Sequence, residues 1–208
     1  MATTCTEVCK TSPVPVRLWD LSAQGVERGP KRLGLRSKLS EPSLQAIAFA
    51  PDETRLAAAY GYVAELWDLT QPDPPASLVG SYASGGGWIK TLDISADGRW
   101  LALGSLNSND VRLWRLAGDP GEPRGPIILS GHDAPLKAVR FGGDGRWLAS
   151  AAADGSLNLW DLARSVLRPT QLRGHDLSIA ALRFSPGADP GHLLSWGQGE
   201  FARLWRLV

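Results

Sequence analysis

Three residues of the 208-residue chain, His132, Ser150 and Asp154, are of the types that make up a nucleophilic triad. Such a triad needs a serine open to substrate, a histidine to take its proton, an acid to orient the histidine, and oxyanion donors beside them. The spacing argues against that chemistry. The His-Ser pair recurs as His175 and Ser195, with Gly199 where the second acid would stand. A set that repeats with its acid missing reads as structure before catalysis, and no catalytic residue is assigned. Cys5 and Cys9 are the only cysteines, and the three histidines, His132, His175 and His192, lie far from them in sequence. A zinc site wants four ligands, so the two thiols read as free, and neither a metal nor a cofactor is expected. Gly85-Gly86-Gly87 lacks the GK[ST] ending of a phosphate loop and reads as the entry to a strand. Arg28, Lys31, Arg32, Arg36 and Lys38 form a run of five cations without an acid. Without interleaved aromatics it does not suit base stacking, and an edge strand kept soluble by charge is the simpler reading.

With 22 Lys+Arg against 21 Asp+Glu the net charge is +1, so no global field draws the protein to nucleic acid or to an anionic membrane. Two cysteines make no disulfide framework, the first ten residues lack an apolar signal core, and no run of about 18 apolar residues occurs. A soluble protein of the cytoplasm is expected, with no nucleic-acid or membrane partner.

The elements that must carry these residues repeat. Five of the nine tryptophans fall in one context: Arg17–Leu21, Glu65–Leu69, Arg112–Leu116, Asn158–Leu162 and Arg203–Leu207. Their spacing is 48, 47, 46 and 45 residues, the period of a supersecondary unit used repeatedly. In the best-formed copy, Leu136–Phe141, Arg146–Ala152 and Ser156–Asp161 are short runs of period two or continuous apolarity, separated by Asp144-Gly145 and Asp154-Gly155. Runs of that length between Asp-Gly turns are antiparallel strands in hairpin order. A weaker fourth patch precedes each set, at Ser77–Val79, Pro126–Leu129 and Pro169–Leu172.

These motifs resemble the WD40-repeat family of β-propellers over essentially the whole chain. The carrying residues are Leu129-Ser-Gly-His132, Val139–Gly145, Leu148-Ala-Ser150, Asp154-Gly155 and Leu159-Trp-Asp161, with Leu172–His175, Leu182–Pro186 and Leu204-Trp205 in the next copy. The resemblance implies an all-β fold of four-stranded antiparallel blades, about four and a half of them. The expected ranges are a partial repeat over 1–30, repeats over 31–69, 70–116 and 117–162, and a last repeat over 163–208 without its outer strand. An incomplete or open propeller follows, closed by missing sequence or by another chain. The resemblance also implies a buried hydrogen-bond network joining His132, Ser150, Asp154 and Trp160, and a second one keeping His175, Ser195 and Trp205.

One tryptophan has no evident structural place. Trp88 stands at the entrance of an inner strand, where other repeats have Ser43, Pro135 and Ser178. Lys90, Lys137 and Gln45 share the next equivalent position, with Arg140 and Arg183 one strand position further on, so a mildly basic rim with an aromatic anchor is expected. The implied function is a non-enzymatic scaffold or sensor module that binds a protein partner. The alternatives are the regulatory C-terminal repeat region of a bacterial signalling ATPase, kinase or protease, and, from another class, a propeller hydrolase.

Overall fold

The computed structural model describes residues 2–3, 16–19, 31–35, 43–71, 77–81, 87–116, 125–164, 166–187, 191–199 and 201–207. Within them the secondary structure is entirely β, arranged as five antiparallel meandering sheets. The first contains β1 (Ala2–Thr3), β2 (Val16–Leu18) and β3 (Lys31–Leu33). The second contains β4 (Leu44–Phe49), β5 (Arg55–Tyr60), β6 (Val63–Asp68) and β7 (Ser77–Ser81). The third contains β8 (Ile89–Ile94), β9 (Trp100–Ser105), β10 (Val111–Arg115) and β11 (Ile127–Leu129). The fourth contains β12 (Leu136–Phe141), β13 (Trp147–Ala152), β14 (Leu157–Asp161) and β15 (Thr170–Leu172), and the fifth β16 (Ile179–Phe184), β17 (His192–Gly197) and β18 (Arg203–Arg206).

The fourth patch of each set has its place outside that set. Ile127–Leu129 pairs with β10, and Thr170–Leu172 pairs with β14, so each patch is the outer strand of the sheet before it. Two successive sequence repeats therefore contribute to one sheet. The basic run supplies the outer strand of the first sheet at Lys31–Leu33, where charge suits an edge. Arg28, Arg36 and Lys38, like Cys5 and Cys9, lie outside the described residues.

The hairpins follow from their turn residues. In the turn between β8 and β9 the Asp97 carboxylate accepts the Arg99 N–H at 3.0 Å, and in the turn between β12 and β13 Asp144 accepts that of Arg146 at 3.0 Å. The following residues, Gly98 and Gly145, take φ of 67° and 70°, a conformation that glycine adopts without steric cost. The second sheet makes the same turn with Asp52 accepting from Thr54 at 3.0 Å, but Glu53 holds the left-handed position at φ 59°.

Packing is face to face between consecutive sheets. Four apolar cores fill the four interfaces, built respectively around Tyr60 and Trp67, Ile89 and Leu101, Leu136 and Trp160, and Ile179 and Leu193. The second strands β5, β9 and β13 are buried along all but their first residue because each has a neighbouring sheet on both faces. Full burial of side chains of this size contributes about 1.5–3 kcal/mol each. The inner strands lie side by side in the order β4, β8, β12, β16, which makes them the wall of a central channel.

Candidate functional site: a buried relay and a bulged channel wall

In the fourth sheet Ser150 faces Asn158 across the β13–β14 ladder and is fully buried. Its Oγ accepts the Trp160 indole N–H at 2.9 Å and lies 2.7 Å from His132 Nε2. The other ring nitrogen, Nδ1, meets the Ser156 hydroxyl at 2.6 Å. The Ser156 backbone N–H donates to Asp154 at 3.0 Å, and its side chain bonds the same carboxylate. The relay thus runs Asp154, Ser156, His132, Ser150, Trp160. Asp154 is exposed and reaches the histidine only through Ser156, which corrects the expectation of a buried aspartate bonded within the network. The aspartate lies in the turn between β13 and β14, where solvent reaches it. The signal for Ser156 was present in the sequence as a hydroxyl two residues after the turn aspartate.

Desolvation lowers the His132 pKa to about 4, against the pull of Asp154 and Asp133, so the ring is neutral at pH 7. Although desolvation opposes it, hydrogen bonding from Ser156 keeps the Asp154 carboxyl below the usual carboxylate range. A neutral ring that donates at one nitrogen and accepts at the other fits between two hydroxyls. The geometry does not suit nucleophilic catalysis, because Ser150 has no exposed surface and its oxygen already holds the indole N–H.

The fifth sheet repeats half of this arrangement. His175 Nε2 lies 2.8 Å from Ser195 Oγ, which accepts from Trp205 Nε1 at 2.8 Å, and Gly199 turns the chain at φ 70°. In the second sheet Ala58 stands where Ser150 does, and Trp67 donates to the Gly34 carbonyl at 3.0 Å instead. In the third sheet Leu103 takes that place, and Trp114 Nε1 is buried with no partner among the described residues.

The channel wall has a feature that the sequence did not signal. Each inner strand breaks register after its first residue: between Leu44 and Ala46, Ile89 and Thr91, Leu136 and Ala138, and Ile179 and Ala181. The residues left out of the ladder are Gln45, Lys90, Lys137 and Ala180. A β-bulge re-aims the extra side chain, and these four all line one cavity of about 220 Å³. Arg140 lines it too, with Nη1 donating to the Val139 carbonyl at 2.6 Å. Arg183 is exposed and does not line the cavity, so the expected pairing of Arg140 with Arg183 gives way to one of Arg140 with the two lysines.

Below this layer Thr91 Oγ1 accepts the Val139 N–H at 3.2 Å and Asp93 accepts the Phe141 N–H at 2.8 Å, tying β8 to β12 across the sheet boundary. Desolvation raises the Asp93 pKa to about 6, against its hydrogen bond from Phe141 and the charge of Arg140. Trp88, two residues before Lys90, is 51% exposed at the entrance of β8. Among the described residues no group of three His, Cys, Asp or Glu is placed to hold a metal ion, and no helix is long and apolar enough to cross a membrane.

Comparison with known proteins places these features in context. Residues 126–161 match the family profile described as WD domain, G-beta repeat. The chain is similar to nuclear distribution protein PAC1 of Arthroderma benhamiae, with 28% identity over 88% of this chain and 39% of that protein. It is also similar to the target of rapamycin complex subunit wat1 of Schizosaccharomyces pombe, with 32% identity over 57% of this chain and 35% of that protein. Among solved structures, a chain of the mitotic checkpoint complex superimposes with a TM-score of 0.65 at 18% identity, covering 78% of this chain and 46% of that one. The chain spans less than half the length of these curated relatives.

Proposed function

Because the chain belongs to the WD40-repeat family of β-propeller proteins, we propose that it is a non-enzymatic adaptor that holds a protein partner against the open end of its channel wall. The observation that carries this reading is the shared bulge, which sets Gln45, Lys90, Lys137 and Ala180 from four sheets around one cavity beside the exposed Trp88. Rigid stacked sheets hold such side chains in fixed relative positions, and a protruding indole is a frequent anchor of protein interfaces. The absence of catalysis is supported by the burial of Ser150 and by relatives whose names describe repeat and complex-subunit proteins.

The test is capture of partners on the immobilised chain. Trp88→Ala combined with Lys137→Glu is expected to remove the captured partner while the far-ultraviolet circular dichroism stays unchanged. Undiminished capture by the double variant contradicts the reading, as does turnover of a hydrolase substrate that survives purification.

A further inference from the structure

The cavity in the channel wall has a chemistry of its own. Lys90, Lys137 and Arg140 come from two neighbouring inner strands and converge on about 220 Å³ of space, with Gln45 on one side and Ala180 on the other. Among the described residues no carboxylate lines it. The nearest acid along β8, Asp93, already receives the Phe141 N–H. Neither lysine has an ion-pair partner among the described residues. Arg140 is fixed in place by the Val139 carbonyl and, at 3.5 Å, by the Leu92 carbonyl, so one cation is preorganised and two are held at bulges. Like charges gathered around one concave space repel each other unless an anion joins them.

We propose that this cavity binds a phosphate group, and that the group arrives as a phosphorylated side chain of the protein partner. The second half of the proposal rests on the adaptor reading above. A phosphomonoester carries about −1.5 to −2 charges at neutral pH and offers three acceptor oxygens, which matches three converging donor cations better than a singly charged carboxylate does. Arginine supplies a forked donor and the lysines compact point charges, the usual division of labour around phosphate. Small residues at Ala46, Ala138, Ala180 and Ala181 leave room for the group. A space of this size accepts one phosphate group and not a run of backbone, so the rest of the segment lies outside, on the side of Trp88.

Calorimetric titration of the 208-residue protein with inorganic phosphate, with a short phosphoserine peptide and with acetate tests the proposal. Phosphate and phosphoserine are expected to bind saturably and acetate not to bind. Lys90→Gln and Lys137→Gln are each expected to weaken phosphate binding about tenfold. Lys137→Arg retains it, and Arg173→Gln, at an exposed cation outside the cavity, leaves it unchanged. A phosphoserine peptide that binds more tightly than inorganic phosphate supports the whole proposal, whereas equal affinities support the phosphate site and overturn its assignment to the partner. No saturable phosphate binding, or equal binding by the parent and the two glutamine variants, overturns the site. Trp88→Ala separates the two readings. If it abolishes partner capture while phosphate fails to bind, the adaptor reading stands and the phosphate site falls.

Discussion

One Ser150 oxygen serves both the Trp160 indole and His132 inside the fourth sheet. Removing it leaves two buried groups without a partner, and Ser150→Ala is expected to cost about 2–4 kcal/mol in urea unfolding. Asp154→Ala removes only the exposed end of the relay and its turn contact, with an expected loss of about 0.5–2 kcal/mol. Equal losses contradict the order of the relay. The His132–Ser150–Trp160 grouping was implied by the resemblance to WD40 repeats, with its echo at His175, Ser195 and Trp205. The place of Ser156 was not, because a serine after a turn aspartate has many ordinary uses.

Between pH 4 and 6.5 two desolvated groups act on stability in opposite directions. The His132 ring, with its pKa near 4 in the folded protein and an ordinary value of 6.5, is protonated first in the unfolded chain, so stability falls as pH drops from 6.5 to about 4. Asp93, held up near 6 against an ordinary 3.8, is protonated first in the folded protein, so it adds stability as pH drops from about 6 to 3.8. The two effects largely offset each other between pH 4 and 6. Asp93→Asn removes the second, and its urea midpoint is expected to fall more steeply than the parent's on going from pH 7 to about pH 4.5. Parallel profiles contradict this assignment.

At the scale of elements, the hairpins were the most legible part of the fold, because Asp144-Gly145 and Asp154-Gly155 specify both the side-chain cap and the left-handed residue. Glu53 departs from that pattern. A side chain in the left-handed region costs about 1–2 kcal/mol, part of which glycine returns as unfolded-chain entropy. Glu53→Gly is therefore expected to raise stability by about 0.5–1 kcal/mol, and a loss contradicts the strain at that turn. Gly155 shows the reverse case. At φ 84° it brings an added Cβ to 2.7 Å from the His175 carbonyl oxygen, so Gly155→Ala strains the turn that holds Asp154. The equivalence of Gln45, Lys90 and Lys137 was legible from the repeat, but the register break at these positions and at Ala180 was not, since a bulge leaves the same alternation of residue types on either side.

For the molecule as a whole, the repeat length gave one unit used repeatedly, the resemblance to WD40 repeats implied a stack of sheets, and burial shows how strongly each sheet depends on the next. Leu113 and Leu159, equivalent residues beside Trp114 and Trp160, are 1% and 6% exposed, whereas Leu204 beside Trp205 is 68% exposed on the open face of the fifth sheet. Leu159→Ala is expected to cost about 2–5 kcal/mol and Leu204→Ala less than about 0.5 kcal/mol. The stack also bears on the proposed partner surface. The outer strands β3, β11 and β15 are three residues each, while Thr91, Asp93 and Arg140 tie β8 to β12, which suits that part of the channel wall to the proposed partner. Hydrogen–deuterium exchange of the chain with and without its captured partner tests that claim most directly. Protection is expected over 87–91 and 133–138, where Trp88, Lys90 and Lys137 lie, and protection confined to the outer strands β7, β11 and β15 would contradict it.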